Sequence, residues 1–295
     1  LILAIDAPTG SIYDKFLENI GEVENTGVEF LIGGIPVRTE EFSWDISFNM
    51  SKNKNKLNSL IEGLDNTPLN QTNSGNVVIQ ADVNGGIGDI YGTVWATDDA
   101  GNKLVNAEGR PIAGDRKKLG NAQPDWIGGI TNTLSYKNLS FRFLVDGRFG
   151  GEIYSATSAS LDASGASKRS LQYRDGGIVV DAINTGTNAQ NTENITAQEY
   201  WSSYSAIGEN YVYDQTNIRL RELALSYRIP SNVTEKFGAN SASIGLIGRN
   251  LFFFYKKADD IDPETTLGTA LSAQGISINN VPTVRSLGFN ITVKF

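Results

Sequence analysis

Apolar and polar residues alternate strictly in several segments of this sequence, and this alternation constrains the fold more than any other feature. One segment shows it most clearly, because five apolar residues occupy every second position: Phe42, Trp44, Ile46, Phe48 and Met50. The residues between them are polar: Ser43, Asp45, Ser47 and Asn49. A β-strand points successive side chains to opposite faces, whereas a helix would scatter these residues around its axis. The alternation therefore predicts strands with one apolar and one polar face.

The same alternation recurs farther along the chain. In one segment the apolar residues are Leu139, Phe141, Phe143, Val145 and Phe149. In another, at the end of the sequence, they are Leu287, Phe289, Ile291, Val293 and Phe295. Weaker versions lie at 28–32, 126–136 and 244–254. A chain built from so many half-apolar strands is predicted to be all-β.

The segment at 218–227 changes register. Its first apolar residues, Ile218 and Leu220, are even-numbered, whereas Leu223, Leu225 and Tyr227 are odd-numbered. One extra residue near 221–222 would restore the two faces, which is what a β-bulge does. An ordinary loss of sidedness at the end of a strand would give the same pattern, so both interpretations stay open.

The residue types that are absent narrow the function. The 295 residues include no Cys and no His, which removes disulfides, thiolate nucleophiles and the commonest general base. The formal net charge of −8 argues against nucleic acid as a partner, because a phosphate backbone requires a basic surface. No run approaches the roughly 18 apolar residues of a transmembrane helix. We therefore expect no enzyme, and no cofactor is predicted.

The connections between the predicted strands alternate between short and long. The short ones lie at 33–40, 137–138 and 230–240, and the long polar ones at 51–88, 150–210 and 256–282. Transmembrane β-barrels show this asymmetry, with short periplasmic turns and long external loops. A β-sandwich has frequent turns at both ends instead. Consistent strand directions require an even number of strands between 52 and 124, which we place at 88–97 and 103–113. With a partial first strand at 1–5, we expect about ten antiparallel strands.

Several short motifs occur in a fixed order along nearly the whole chain. They are N-T-G-V-E at 25–29, L-G-N at 119–121 with P-D-W at 124–126, L-S-Y-K at 134–137, Y-V-Y-D at 211–214, I-R-L-R-E-L at 218–223, L-S-Y-R-I-P at 225–230, G-R-N-L at 248–251 and D-P-E at 262–264. Together they resemble the SusC/RagA family of TonB-linked outer-membrane proteins. The joint match is specific, although each motif alone is weak.

The resemblance implies that residues 1–295 are one unit, the C-terminal portion of a large transmembrane barrel that a plug domain closes. It also implies a Gram-negative outer-membrane location, energy coupling through TonB, and a SusD-like surface lipoprotein as partner. The implied substrates are oligosaccharides or peptides. The chain opens inside an apolar run without Met, so we expect the plug, the remaining strands and a signal peptide to lie upstream.

Charged residues on the polar strand faces are predicted to face the barrel lumen, because Arg facing lipid at mid-depth costs about 2–4 kcal/mol. The candidates are Arg142, Asp146, Arg148, Arg219, Arg221, Arg249 and Arg285. They would contact the plug and substrate, or simply form ion pairs across a hydrated lumen. The aromatic residue Phe295 resembles a terminal signal for outer-membrane assembly.

One acidic cluster could bind a hard cation such as calcium. It consists of Asp259, Asp260, Asp262 and Glu264 in a long loop, and a solvated loop with a rigid Asp-Pro turn is the competing interpretation.

The function that these observations favour is nutrient import across the outer membrane, with outer-membrane lipid around the barrel. The alternative is a secreted or surface-anchored all-β structural or adhesive protein. An adhesin should expose Thr, Ser and Lys on its outer strand faces, whereas Phe42, Trp44 and Phe143 require lipid or a core.

Overall fold

The computed structural model describes residues 2–6, 10–13, 15–72 and 74–295, and most of them lie in antiparallel strands. The strands are β1 (Ile2–Asp6), β2 (Lys15–Asn19), β3 (Gly21–Arg38), β4 (Phe42–Leu60), β5 (Asn66–Gln71), β6 (Val77–Asp82), β7 (Ile87–Trp95), β8 (Leu104–Val105), β9 (Ala113–Asn121), β10 (Trp126–Tyr136), β11 (Leu139–Phe149), β12 (Glu152–Ser155), β13 (Ile178–Val179), β14 (Ile183–Asn184), β15 (Ala189–Gln190), β16 (Asn194–Ile195), β17 (Val212–Asp214), β18 (Asn217–Ile229), β19 (Ser241–Lys256), β20 (Ile276–Ser277) and β21 (Ser286–Lys294).

The helices are short. They are α1 (Ala156–Ala163), α2 (Ala197–Tyr204), α3 (Ser231–Thr234) and α4 (Leu271–Gln274), with single 3-10 turns at Arg169–Leu171, Gly208–Tyr211 and Glu235–Phe237. Within the described ranges, no helix has both the length and the apolar character needed to cross a membrane.

Seven strands form one continuous sheet, here called the wall sheet. Their order is β21-β19-β18-β11-β10-β4-β3, and every neighbouring pair is antiparallel. The short connections that join β3 to β4, β10 to β11 and β18 to β19 lie at one end, here called the turn side. The long connections leave the opposite end, the loop side. The predicted all-β antiparallel fold and its alternation of short and long connections are confirmed.

The register of the wall sheet places the alternating apolar residues of neighbouring strands side by side. One row across the sheet contains Phe42, Tyr136, Leu139, Tyr227, Ile244 and Ile291. The next row contains Trp44, Leu134, Phe141, Leu225, Leu246 and Phe289. None of the described residues covers this apolar face at β19 and β21, since Leu246 is 63% exposed and Phe289 77% exposed. A continuous apolar surface of this extent fits against lipid.

The register change predicted near 221–222 is a β-bulge. Leu144 in β11 pairs with Glu222, but the next residue, Val145, pairs with Leu220, so Arg221 has no partner in this ladder. The ladder to β19 also shifts between Leu220 and Glu222. Because β18 continues on both sides of the shift, the interpretation as a strand end is wrong.

The two wall strands predicted at 88–97 and 103–113 are wrong. β4 and β10 pair directly, so no wall strand lies between them. Residues 88–97 largely fall in β7, which belongs to a separate sheet of order β5-β6-β7-β9, and 103–113 contains the short β8 and the first residue of β9. The number of wall strands between β4 and β10 is nevertheless even, because it is zero among the described residues: the chain leaves the wall sheet and returns to it on the loop side. In the described residues, the wall sheet has seven strands, and β1 with β2 forms a separate antiparallel pair.

The long connections fold into a compact layer on the loop side, here called the loop body. It comprises the chain between β4 and β10, between β11 and β18, and between β19 and β21. Its main apolar clusters contain Val77, Ile79, Ile90, Tyr154, Ala159, Tyr211 and Ile276 in one, and Trp95, Val105, Val180, Ala182, Ile195 and Ile207 in the other. The water-excluded core therefore lies in the loop body. The wall sheet has a polar and an apolar face and needs no such core.

A buried charged group organises the loop body near α1. The carboxylate of Asp162 is fully buried, 2.5 Å from the Arg169 guanidinium, and it accepts the Tyr211 hydroxyl at 2.8 Å and the Ser167 hydroxyl at 2.6 Å. Burial, and then the hydrogen bond to Asp162, raise the pKa of Tyr211 well above its usual value. A buried carboxylate is tolerated when it is paired and hydrogen-bonded in this way.

Candidate site on the polar face of the wall sheet

Six of the seven charged residues predicted to face the lumen lie on the polar face of the wall sheet. They are Arg142, Asp146, Arg148, Arg219, Arg221 and Arg249. Cross-strand register brings several together, because Asp146 pairs with Arg219 and Glu222 pairs with Arg249. Arg285 behaves differently: it precedes β21, is exposed, and takes part in neither of the two charge networks described below.

The first network is a clamp on Glu264, a residue of the loop between β19 and β21. Its carboxylate lies 3.1 Å from Nη1 of Arg219 and 2.6 Å from Nη2 of Arg221. Asp146 holds the other edge of the Arg221 guanidinium, with its oxygens 2.7 Å from Nε and 3.1 Å from Nη2. The side chain of Arg219 is only 3% exposed, so its charge requires acidic partners, which are Glu264 and, at 3.8 Å, Asp262. The network fastens the loop to the wall.

The β18–β19 ladder shifts register twice around the clamp, between Ile218 and Arg219 and between Leu220 and Glu222. The bulge residue Arg221 donates from Nη1 to Oδ1 of Asn250 at 3.0 Å. Asn250 has a φ of 52°, in the left-handed region that Asn adopts more readily than most residues. The Arg219 guanidinium stacks over the ring of Phe253 at 4.4 Å, an arrangement that favours a cation. Both guanidiniums are therefore aimed at one loop carboxylate.

A second network lies nearer the turn side. Glu222 sits between two arginines, with 3.1 Å to Arg249 and 3.7 Å to Arg142. Both guanidiniums are half or more exposed, so these pairs contribute little to stability. They leave a net positive charge on the polar face, available to another group that enters from that side.

The acidic cluster considered for calcium is not assembled as a cation site. Glu264 is occupied by the two arginines, and Asp262 accepts the backbone N–H groups of Glu264 at 3.1 Å and Thr283 at 3.0 Å. Asp259 and Asp260 are exposed and separate from this network. Among the described residues, no group of three or more His, Cys, Asp or Glu side chains is arranged to hold a metal ion. The arginines supply the positive charge that a cation would have brought.

A polar cleft of about 410 Å³ opens beside the clamp, between the wall sheet and the loop body. It is lined mainly by amide and hydroxyl side chains together with Arg148 and Glu264. Arg148 donates from Nη2 to the carbonyl oxygen of Ala122 at 2.9 Å, while its Nε is buried without a hydrogen-bond partner in the described residues. The cleft thus combines a guanidinium, a carboxylate and neutral hydrogen-bonding groups.

Sequence reasoning missed three residues of these networks: Glu222, Asn250 and Phe253. Glu222 could have been found, because it is the only acidic residue in the arginine-bearing strand β18. Asn250 and Phe253 carry no such signal, since their roles depend on where the shifted ladder places them.

Comparison with known proteins shows which receptors the chain resembles. No family model matches it. It is 26% identical to the TonB-dependent receptor P3 of Formosa agariphila over 95% of the chain and 28% identical to receptor P26 of the same organism over 99%. It is 22% identical to the TonB-dependent receptor SusC of Bacteroides thetaiotaomicron over 100% of the chain. The sequence is therefore similar, along nearly its whole length, to TonB-dependent receptors that include SusC, in agreement with the resemblance carried by its motifs.

Solved structures agree in fold. The RagAB peptide transporter matches 99% of the chain with a TM-score of 0.65 at 16% identity, and the RagAB peptide importer in the open-open state matches 100% with a TM-score of 0.64. The chain spans only 29% to 31% of the length of the three sequence relatives and 32% of the first structure. These relatives are named as receptors and transporters, in agreement with the expectation that the chain is not an enzyme. The chain is a portion of an outer-membrane β-barrel.

Proposed function

We propose that this chain forms the C-terminal wall and part of the loop layer of a receptor that imports nutrients across the outer membrane in a TonB-dependent manner. The observation that carries the proposal is the sidedness of the wall sheet. Its apolar face continues across all seven strands, and its opposite face carries arginine networks beside a polar cleft. A wall between lipid and an aqueous lumen requires this division.

The proposed substrates are oligosaccharides or peptides. Both are polymers rich in hydrogen-bonding groups, which the amide and hydroxyl side chains of the cleft can pair. A peptide would in addition offer its C-terminal or side-chain carboxylates to Arg148. The peptide transporter named among the structural neighbours supports this substrate class without deciding between the two.

The proposed partners follow from the two sides of the molecule. A SusD-like surface lipoprotein would cover the loop body, whose exposed surface forms the loop side. The plug would occupy the lumen and meet the second arginine network, where Arg142 and Arg249 share the single carboxylate of Glu222. TonB would act through the plug, upstream of the present chain.

Uptake of labelled substrates by intact cells tests this function. Cells that produce the intact receptor should accumulate fluorescent oligosaccharides or oligopeptides, and deleting either the receptor or TonB should abolish accumulation. Arg148→Gln should slow uptake, because it removes the only guanidinium among the described residues that line the cleft. Arg228→Gln is the matched control, since Arg228 is an exposed arginine near the turn side of the same strand system. Uptake that persists without the receptor, with adhesion lost instead, would support the structural or adhesive alternative.

A further inference from the structure

Lysine and asparagine alternate in the loop-side half of β4, as K-N-K-N-K at 52–56. Period two separates them onto opposite faces. Asn55, on the polar face, accepts the backbone N–H of Ile87 at 2.7 Å and so holds the loop body. Lys52, Lys54 and Lys56 share the other face, which is the apolar face farther down the strand, and all three are exposed. We call these three residues the lysine ladder.

The ladder begins where the apolar band ends. On the same face of β4, Lys52 lies ten residues after the first apolar residue, Phe42, which is about 34 Å along the strand and about 24 Å along the membrane normal at a tilt of about 45°. A transmembrane barrel presents an apolar band about 25 Å tall. Lys52 follows Met50 as the next residue of that face, and its ammonium lies 4.8 Å from the ring centre of Trp126. Tryptophan at this height is typical of the membrane interface.

The ladder carries positive charge without matching protein partners. No ion pair to any of the three lysines is present in the described part of the chain. Across the strand pair, Lys52 lies opposite Val28 and Lys54 opposite Thr26. Only Lys56 has an acidic neighbour in register, Glu24, whose carboxylate accepts the Asn58 amide at 3.3 Å. The whole chain has a net charge of −8, so the positive charge of the lysine ladder differs from that of the chain as a whole. This local positive charge indicates an anionic partner.

We propose that the lysine ladder binds the phosphate groups of the glycolipid that forms the outer leaflet of the outer membrane. The outward orientation of the loop side is taken from the proposed function. Three lysines at alternate positions span about 14 Å along the strand, or about 10 Å along the membrane normal at a tilt of about 45°. The headgroup layer of one leaflet is about 5–8 Å thick. Lys52 therefore meets its inner boundary and Lys54 lies within it.

The test measures the affinity of the purified intact receptor for diphosphorylated lipid A in detergent micelles, by native mass spectrometry or thermophoresis. The variant is Lys52→Gln, Lys54→Gln and Lys56→Gln combined. The matched control replaces Lys117, Lys168 and Lys236 by Gln, which removes the same charge from exposed lysines elsewhere. Each basic residue near an anionic surface contributes about fivefold in affinity. Because at least two of the three lysines, Lys52 and Lys54, lie at the headgroup layer, removing the ladder should weaken binding by at least about 25-fold. The control should stay within about twofold of wild type.

Two further binding measurements identify the source of the phosphate. Wild-type receptor should bind dephosphorylated lipid A as weakly as the ladder variant binds the diphosphorylated form, and millimolar inorganic phosphate should not compete. Unchanged lipid A binding by the ladder variant, equal losses in variant and control, or competition by free phosphate would each overturn the proposal. Heat-modifiable mobility checks that the variant barrel is folded. Because no transport is measured, a failure of the import function leaves this result unaffected.

Discussion

At the scale of single residues, the clamp on Glu264 shows how a loop carboxylate is fixed by buried arginines. Arg219 is nearly inaccessible and Arg221 is about one-quarter exposed, so water cannot fully solvate either guanidinium and each requires a carboxylate partner. Asp146 satisfies one edge of Arg221 but does not reach Arg219 in the described hydrogen bonds. Glu264 is thus the residue that both arginines require.

We predict that Glu264→Gln destabilises the receptor by about 1.5–3 kcal/mol, because a neutral amide replaces hydrogen bonds made to charged groups. The measurement is urea unfolding in detergent, followed by heat-modifiable mobility. Asp259→Asn, in the same loop but exposed, is the control and should change stability by less than about 0.5 kcal/mol. Equal effects of the two substitutions would show that the clamp adds no stability.

A second residue-scale prediction concerns the sidedness of β11. Arg142 and Phe143 are neighbours on opposite faces, and Phe143 packs beside Phe141 at 5.7 Å on the apolar face. Phe143→Arg should cost about 2–4 kcal/mol at mid-depth and reduce insertion, whereas Arg142→Ser should leave the barrel intact. Phe143→Ala should cost clearly less than the roughly 3–5 kcal/mol of a packed core, because acyl chains can fill the gap. An Ala variant as unstable as the Arg variant would contradict lipid exposure.

At the scale of elements, α2 shows how a short helix is fixed in the loop body. Thr196 caps its N-terminus and forms a capping box with Glu199, whose carboxylate also pairs with Arg110 at 2.7 Å. The hydrogen bonds from Thr196, and then the contact with Arg110, lower the pKa of Glu199 to about 2. Isolated helices of two turns are not stable in water, so this cap and the packing of Trp201 hold α2.

The lowered pKa of Glu199 gives a pH dependence. Its stabilisation of α2 is fully present above the ordinary pKa of about 4.5 and is lost as the pH falls from there towards about 2. Amide hydrogen exchange of α2 should therefore accelerate between pH 4.5 and pH 3 relative to the intrinsic rate. Glu199→Gln should remove most of this pH dependence, while Glu108→Gln, at an exposed position nearby, should retain it. Identical profiles for the two variants would exclude the capping box as the cause.

At the scale of the whole molecule, the orientation in the membrane decides which surface meets substrate and partner. The chain has no Cys, so single Cys reporters can be placed without background from this portion. Thr187→Cys in the loop body should react with an impermeant maleimide on intact cells. Asn138→Cys in the turn between β10 and β11 should react only after the outer membrane is permeabilised. The reverse labelling pattern would invert the proposed orientation.

Much of the wall sheet was predictable because period-two alternation depends on local sequence alone. The strands at 42–50 and 139–149, the turn at 137–138 and the bulge near 221 all follow from which residues share a face. The arginines of the polar face were predictable for the same reason, with the exception of Arg285, which precedes its strand, and their exposure to a lumen stays a prediction. Polar residues opposite an apolar stripe can be assigned to one face without knowledge of any neighbour strand.

The strands between β4 and β10 could not be assigned from sequence, because membership of a sheet is a property of pairing. β7 has the composition of a strand, and only its partners β6 and β9 place it in the loop body rather than the wall. The same reason explains the acidic cluster. From its sequence neighbours alone, Glu264 is a candidate cation ligand. Only the approach of Arg219 and Arg221 from a distant strand shows that it attaches its loop to the wall sheet.

The sequence by itself therefore determined the class of fold, the faces of the strands and the resemblance to a receptor family, since these depend on local periodicity and short motifs. The tertiary structure decided which strands form the wall, how the long loops build their own core, and which charges neutralise each other. These depend on contacts between residues far apart in sequence, such as Glu264 with Arg221 and Asp162 with Tyr211. The free energy of such contacts comes from burial and mutual approach, which no local pattern encodes.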